Sequence, residues 1–190
     1  MKLGYKIAIG IGIAGLVGVA IWKWRFIQYY ALMPIRLLKD GTNESIIDKN
    51  ILAPLKPTFA QFIADIEKFG WDVTITSSYR SFQQQADEYA SDNRNAKPGR
   101  SMHNYGAAID INAAQGTQVL HKDSPTQDWI DSGILDIAAK LGLEWGGGYK
   151  NYPDRVHFQS NRYSIDDLYA QAVSQFGSAE DAVGNMVTMT

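Results

Sequence analysis

The sequence predicts an α+β fold. Helical and strand patterns alternate along residues 51–176 without the long strand–helix–strand regularity of a parallel sheet. The hydrophobic fraction of 45% and the charged fraction of 20% are typical of a globular protein, and 190 residues suffice for one domain and an appendage. The chain contains no cysteine, so disulfides and thiolate metal sites are excluded, and any metal would need His, Asp or Glu ligands.

The N-terminal arm differs from the rest of the chain in charge and hydropathy. Residues 1–39 contain six basic and no acidic residues, whereas the remainder contains 12 basic and 20 acidic residues. Within the arm, residues 7–22 form an uncharged apolar run close to the roughly 20 residues that span a membrane. This pattern predicts an uncleaved membrane anchor over residues 1–30 and a juxtamembrane linker over residues 31–50, and it favours a membrane over nucleic acid as the partner.

A cleaved signal peptide is the alternative for the arm, since Gly18-Val-Ala20 has the small residues of a cleavage site. Apolar and aromatic residues continue beyond that point to Met33, which is not typical of a mature N-terminus. Small residues four apart, such as Ala8 and Gly12, would allow a weak homodimer through the membrane segment.

The first half of the domain is predicted as helix, strand and helix. Pro57 and Thr58 open a helix, with Thr58 as its N-cap, and aromatic and isoleucine residues recur at helical spacing until Gly70 ends it. Residues 71–77 alternate in polarity and are rich in β-branched side chains, which predicts a strand. Residues 82–90 are predicted to form a short polar helix.

The second half of the domain alternates short strands with amphipathic helices. In order, the predicted elements are a buried strand over 107–111, a polar excursion over 112–127, a helix over 129–141, a strand that starts at Leu143, a return strand over 156–159, a helix over 165–176 and a flexible tail over 177–190.

Two histidines and an aspartate form a candidate metal site. His103 and Asp110 are seven residues apart, and this odd offset would place them on opposite faces of a flat strand. Gly106 lies between them, so a turn or bulge can bring both side chains to one point. With His157 as the third ligand, they would form a catalytic zinc arrangement whose fourth position is open to water.

Other polar residues could act beside the metal. Asp154 could take a proton from an attacking water and pass it to a leaving amine, or could be an ordinary turn residue. Arg80 could bind a substrate carboxylate or a developing oxyanion, or could be a solvated side chain at a strand end. Glu144 could replace Asp154 as the base, although a supporting or structural role suits it better, and His121 is interpreted as a surface residue.

Four blocks of sequence together resemble a known family. They are Ser-Ser-Tyr-Arg80-Ser, Ser101-x-His103-x-x-Gly106-x-Ala108-x-Asp110, Trp145-Gly-Gly and Asp154-x-x-His157-Phe-Gln. In this order they resemble the D-alanyl-D-alanine carboxypeptidase family of zinc peptidases. The ending Asp-x-x-His-Phe is most similar to the L-alanyl-D-glutamate endopeptidases of that family, which include phage endolysins.

The resemblance implies a small antiparallel sheet flanked by helices, in a zinc peptidase domain over residues 51–176. It implies zinc held by His103, Asp110 and His157, Asp154 as general base, Arg80 as electrostatic residue, and substrate contacts from Ser101, Tyr79 and Trp145. The implied substrates are peptidoglycan stem peptides, cut by an L-Ala-D-Glu endopeptidase during cell-wall lysis or remodelling. A D-Ala-D-Ala carboxypeptidase and a non-catalytic, zinc-containing wall-binding module are the alternatives.

The chain departs from the family pattern in two ways. Many relatives have glutamate where Asp154 stands, although the endopeptidase-like members share the aspartate. Soluble endolysins usually lack an N-terminal membrane segment. We therefore expect a single-pass protein of the cytoplasmic membrane whose catalytic domain faces the periplasm or cell wall; a form secreted or released after signal cleavage is the alternative.

Overall fold

The computed structural model describes residues 42–178 and residue 180. The membrane anchor over 1–30, the homodimer contact within it and most of the predicted tail lie outside these residues. Within the described part of the chain, no helix combines the length and the apolar character needed to cross a membrane.

The described residues contain six α-helices and five strands. In chain order they are α1 (Asn43–Asn50), α2 (Lys56–Lys68), β1 (Asp72–Ser77), α3 (Phe82–Ser91), β2 (Ala108–Gln115), β3 (Gln118–Leu120), α4 (Thr126–Asp131), α5 (Ile134–Lys140), β4 (Leu143–Trp145), β5 (His157–Ser160) and α6 (Ile165–Phe176). Single 3₁₀ turns lie at Ala53–Leu55, Met102–Tyr105 and Gly146–Gly148.

The five strands form one antiparallel sheet, which confirms the predicted α+β fold. The strand order is β1-β2-β5-β4, and β3 pairs with the end of β2. Strand β2 is central, because β1 pairs along one of its edges while β5 and β3 share the other. The register between β1 and β2 shifts between Ile75 and Ser77. This irregularity lies at the end of β1 that leads to Arg80.

Helices pack against one face of the sheet and form the core. This packing determines which strand side chains project from the opposite face. Helix α2 buries Phe62, whose ring lies 5.0 Å from that of Phe158 on β5, and the Trp129 ring lies 6.0 Å from Phe158 on another side. Burying aromatic side chains of this size stabilises the fold by roughly 1.5–3 kcal/mol each. Since neighbouring strand residues point to opposite faces, anchoring Phe158 in the core turns His157 to the other face.

The sequence predicted a linker through residue 50, but residues 43–50 form helix α1 and pack on the domain. Thr42 caps the helix by accepting a hydrogen bond from the Ser45 N–H, and Ile46 is buried. The Asn43 amide donates to the Val73 carbonyl and accepts from the Ile75 N–H, so it covers part of the free edge of β1. Helix α2 also begins earlier than predicted, at Lys56, so Thr58 is not its N-cap.

The predicted polar excursion over 112–127 is wrong, because most of it is regular structure. Strand β2 continues to Gln115, turns at Gly116 with φ 58°, and returns as β3. Leu120 at the end of β3 is fully buried. The short β3 covers the edge of β2 that β5 leaves free.

The predicted helix over 129–141 is two helices, α4 and α5. The chain breaks at Gly133, whose φ is 77°, and a Cβ there would lie 2.8 Å from the ring of Phe69. The Ser132 hydroxyl accepts a hydrogen bond from the Ile134 N–H and so supports the break. Because the helical phase changes there, Ile130, which was predicted on the buried face, is 49% exposed.

Candidate metal centre

Strand register brings Asp110 and His157 together. They are directly opposite partners in the antiparallel pair of β2 and β5, so their side chains project from the same face of the sheet. His157 Nδ1 lies 3.1 Å from Asp110 Oδ1. The core packing of Phe158 determines that this face is the one turned away from the helices.

His103 reaches the same point through the 3₁₀ turn that precedes β2. Ser101 begins this turn, and its Oγ accepts a hydrogen bond from the His103 N–H. Gly106 ends it with φ 62°, a left-handed conformation that favours glycine, and redirects the chain into β2. His103 Nε2 then lies 3.1 Å from Asp110 Oδ1 and 3.1 Å from His157 Nδ1. The turn predicted at Gly106 is confirmed.

The three ligand atoms suit a tetrahedral metal ion. Their separations of 3.1 Å form an almost equilateral triangle. Ligand atoms about 2.0–2.1 Å from a tetrahedral zinc lie about 3.3–3.4 Å apart, so a shift of a few tenths of an ångström would accommodate the ion. His103, Asp110 and His157 are 2%, 6% and 8% exposed, and two imidazoles with one carboxylate are a donor set that zinc accepts.

Hydrogen bonds assign the coordinating nitrogen of each histidine. The Nδ1–H of His103 faces the Ser78 carbonyl oxygen, which can only accept, so Nε2 keeps the lone pair. Nε2 of His157 lies 3.1 Å from Gln159 Oε1, so His157 donates there and Nδ1 keeps the lone pair. Both lone pairs therefore point to the site, and each ring is held from its far side.

The site's electrostatics favour metal-binding protonation states for two of the three ligands. Burial by itself would raise the pKa of Asp110, but His103 and His157 hold that pKa well below its ordinary value. Burial lowers the pKa of His103 despite Asp110, which favours a neutral imidazole. For His157, burial lowers the pKa, but the hydrogen bond to Asp110, the charge of that carboxylate and the hydrogen bond to Gln159 together raise it, so a proton competes with the metal at this residue.

Arg80 lies against the ligand carboxylate. Its Nη2 donates to Asp110 Oδ2 at 2.8 Å, while Oδ1 of the same carboxylate faces the two histidines. Its Nε donates to Ser77 Oγ at 3.1 Å, and its Nη1 faces Gln85 Oε1 at 3.4 Å. Three of the five guanidinium N–H groups thus have partners among the described residues, and the others can serve a substrate in the cleft.

His103 and His157 line a cleft of about 720 Å³. Asp154 lines this cleft together with Glu144, Tyr149 and Gln159. Burial first, and then the charge of Asp110, raise the pKa of Asp154, against the effects of the histidines and Arg80. Asp154 is held by its backbone, because its N–H donates to the Gly146 carbonyl at 3.0 Å.

The residues predicted to contact substrate have separate positions. Ser101 lines the cleft, whereas Tyr79 and Trp145 are half-buried against the core and are not among its lining residues. The Trp145 indole N–H donates to the Arg155 carbonyl at 2.7 Å and so supports the segment between Asp154 and His157. Their predicted substrate contacts stay predictions. His121, interpreted as a surface residue, has a side chain that is 44% exposed.

Sequence reasoning missed three residues around the site. Gln85 is 1% exposed, faces Arg80 and donates to the Ala96 carbonyl at 2.8 Å. Gln159 belongs to the His-Phe-Gln block but received no role. Tyr149 lies in the cleft, and burial with the nearby charges of Glu144 and Asp154 raises the pKa of its phenol. The best sequence signal for Gln159 was its place two residues after His157, on the same strand face.

Comparison with known proteins confirms the resemblance. Residues 94–160 match the model of a family described as D-alanyl-D-alanine carboxypeptidase. The peptidoglycan L-alanyl-D-glutamate endopeptidase CwlK of Bacillus subtilis is 33% identical, over 47% of this chain and 61% of that protein. The chain therefore matches about three fifths of the length of this relative.

Two solved structures are also similar. One is the L-Ala D-Glu endopeptidase ChiX of Serratia marcescens, with 20% identity, a TM-score of 0.46, and coverage of 66% of this chain and 86% of that one. The other is the vancomycin-resistance D,D-pentapeptidase VanY from a VanB-type cassette, in complex with Zn(II), with 16% identity and a TM-score of 0.44, covering 71% of this chain and 84% of that one.

Proposed function

We propose that the protein is a zinc peptidase that hydrolyses peptidoglycan stem peptides, with the L-Ala-D-Glu bond as its target. The observation that carries this proposal is the buried cluster of His103, Asp110 and His157, with its ligand atoms 3.1 Å apart and open to a cleft. The match of residues 94–160 to the carboxypeptidase family, and the similarity to an L-alanyl-D-glutamate endopeptidase, support the reaction class.

A bound zinc ion supplies Lewis-acid chemistry, by polarising the substrate carbonyl and lowering the pKa of an attacking water to about 7. Asp154 is the base beside it. Its raised pKa brings the carboxylate closer to the affinity for protons that a base at neutral pH needs. It can accept the proton of the attacking water and deliver it to the leaving amine, because both groups meet in the cleft that it lines.

Arg80 has two tasks in this proposal. Its contact with Asp110 Oδ2 turns the other carboxylate oxygen towards the metal position. Its remaining N–H groups can donate to the oxygen that gains negative charge when the amide is attacked. A guanidinium held by Ser77 and Gln85 is already in place for this charge and needs little reorganisation.

The charge of the cleft supports a substrate with carboxylates. Arg94, Arg100 and Lys150 also line the cleft. Arg94 is paired with Asp92, and Arg100 with Asp166 and the ring of Tyr169, which hold both guanidinium groups in place. Stem peptides carry several free carboxylates, so they suit this surface better than neutral peptides do.

Digestion of purified stem peptides tests the proposal. We expect the zinc-loaded protein to release L-Ala from the peptide that begins with D-Glu, and a chelator to stop the reaction, with mass spectrometry of the products as the measurement. Release of the terminal D-Ala alone would identify the carboxypeptidase alternative. Binding of cell wall without any product, at full zinc occupancy, would favour the wall-binding module and contradict the proposal.

We also propose that residues 1–30 attach the protein to the cytoplasmic membrane with the domain on the cell-wall side, where it lyses or remodels the wall. The uncharged run over 7–22 and the basic residues that flank it support this proposal. Fractionation of cells that express the full chain, with and without high-salt washing, is the test. Recovery of the intact chain in the soluble fraction would contradict membrane attachment.

A further inference from the structure

A row of hydrogen bonds leaves the metal centre through His157. Its Nε2 lies 3.1 Å from Gln159 Oε1, and Gln159 Nε2 donates to Glu144 Oε2 at 2.9 Å. Glu144 and Gln159 are directly opposite partners of β4 and β5, and Gln159 shares a strand face with His157. The three side chains therefore form one continuous row along the wall of the cleft, which all three line.

The tautomer of His157 depends on which way the Gln159 amide points. The oxygen of an amide accepts hydrogen bonds and its nitrogen donates them, and either end fits the same space. If the nitrogen faced His157, the imidazole would have to accept at Nε2 and would carry its proton on Nδ1. Nδ1 is the atom that faces Asp110 and His103, and a protonated nitrogen has no lone pair for a metal.

Glu144 supplies the group that orients this amide. A carboxylate only accepts hydrogen bonds, so it attracts the amide nitrogen of Gln159 and leaves the amide oxygen for His157. His103 needs no such arrangement, because its Nδ1–H faces the backbone carbonyl of Ser78, which cannot donate. The tautomer of His103 is thus set by a backbone group and that of His157 by a side chain. Substitution can therefore exchange the acceptor for a donor only beside His157.

We propose that Gln159 and Glu144 are positioning residues that keep the proton of His157 on Nε2, so that the affinity for the metal depends on this pair. The inference rests on the metal centre of the proposed function, but it does not depend on which peptide is cut. If the pair only joined β4 to β5, its removal would lower thermal stability and leave both the tautomer and the intrinsic metal affinity unchanged.

Zinc affinity of the full-length protein, measured by chelator competition, is the first test. Gln159→Leu removes the acceptor and is expected to raise the Kd for zinc about 10–100-fold. Gln159→Glu keeps an acceptor next to His157 and is expected to stay within a few-fold of the wild type. Gln83→Leu is the matched control, since Gln83 is an exposed glutamine that bonds to Asp87 on α3, outside the cleft, and its Kd should not change.

Replacing the acceptor beside Gln159 with a donor tests the direction of the row. Glu144→Lys places a donor opposite the amide, which should turn the amide nitrogen towards His157 and weaken zinc binding. Combining E144K with Q159E should restore the affinity, because a carboxylate at position 159 accepts from both neighbours. Because Q159E also offsets the added positive charge, the tautomer of His157 in both variants has to be measured to separate orientation from charge compensation.

Two-bond ¹H–¹⁵N spectra of the metal-free protein, recorded above the pKa of His157, identify the tautomer directly. The wild type is expected to carry the proton on Nε2, and Gln159→Leu and E144K to shift it towards Nδ1. An unchanged Kd in Gln159→Leu, or equal losses in Gln159→Leu and Gln159→Glu with an unchanged tautomer, would overturn the inference. A wild type that binds zinc tightly but cuts no stem peptide would refute the proposed activity and leave this inference standing.

Discussion

At the residue scale, Asp154 is the side chain whose environment best separates a catalytic role from a structural one. Burial raises its pKa, so the folded protein holds this group less readily as a carboxylate than the unfolded chain does. A raised carboxyl pKa costs stability at pH values above the folded pKa, and this cost disappears as the pH falls through it. A group kept at a cost to stability, at the edge of a metal site, is typical of a working base.

We therefore predict that Asp154→Asn lowers kcat about 10²–10⁴-fold while zinc still binds stoichiometrically. The same variant should raise the Tm of the metal-free protein at neutral pH, because the buried charge is removed without a change of shape. Stem-peptide kinetics, elemental analysis and thermal melts are the measurements. Undiminished cleavage by the variant would exclude Asp154 as the base.

The pH dependence of the wild type follows from the same group. A base works when deprotonated, so kcat/KM should fall as the pH drops through the pKa of Asp154. Since that pKa is raised, the acid limb should lie above pH about 4, the ordinary value for aspartate. Loss of zinc at low pH could mimic this limb, so bound zinc has to be measured at each pH. A limb that persists in Asp154→Asn at full zinc occupancy would contradict the assignment.

The candidate ligands His103 and Asp110 could be predicted together from the sequence because their signal is local, whereas His157 was added from a separate block of sequence. The residue types and the position of Gly106 between His103 and Asp110 were enough to predict a turn that brings the two side chains together. Gln85 could not be predicted in this way. It is one of three consecutive glutamines, and only the packing of α3 on Arg80 and the Ala96 carbonyl distinguishes it from its exposed neighbours.

At the element scale, periodicity located the elements whose pattern is continuous and failed where tertiary contacts interrupt it. The last helix was predicted over 165–176 and is observed as Ile165–Phe176, with Ser164 as N-cap and Gly177 after its end. The break at Gly133 was missed, because Phe69, which follows the end of α2, covers the glycine and no local pattern shows this. The hairpin around Gly116 was missed because residues 112–120 mix small, polar and apolar side chains without the alternation of a strand, and β3 is only three residues long.

The turn over Gly146–Gly148 offers a matched pair of substitutions. A Cβ at Gly147 would overlap the indole ring of Trp145, whereas a Cβ at Gly148 meets no atom within 4 Å. Trp145 donates a hydrogen bond to the Arg155 carbonyl. Displacement of the Trp145 indole should therefore shift the neighbouring Asp154, which lines the cleft.

We predict that Gly147→Ala lowers the free energy of unfolding by about 1–3 kcal/mol and reduces kcat/KM, whereas Gly148→Ala stays within about 0.5 kcal/mol of the wild type. Chemical denaturation and stem-peptide kinetics of both variants are the measurements. Both substitutions replace glycine with alanine in the same 3₁₀ turn, so backbone propensity affects them similarly. Equal effects at the two positions would show that Trp145 does not transmit the change.

At the scale of the whole molecule, the metal cluster joins three parts of the chain. His103 lies in the turn before β2, Asp110 lies on β2 and His157 lies on β5. A ligand that binds only the folded state stabilises it according to its concentration relative to Kd, by about 2.7 kcal/mol at 100 times Kd. The cluster should therefore contribute to the stability of the whole domain as well as to catalysis.

We predict that removing zinc with a chelator lowers the Tm by about 5–10 °C, since about 1 kcal/mol corresponds to roughly 2–4 °C for a domain of this size. Adding zinc back in excess of the chelator should restore the Tm. His103→Ala should lose the metal and melt at the same temperature with and without the chelator, which controls for effects of the chelator itself. Stoichiometric zinc in His103→Ala, or a wild-type Tm that is insensitive to verified zinc removal, would show that the cluster does not hold the metal as described. The loss of stability on zinc removal should also be cooperative across the sheet. The strands that carry Asp110 and His157 are hydrogen-bonded neighbours, so they cannot separate without disrupting the pairing at the centre of the sheet.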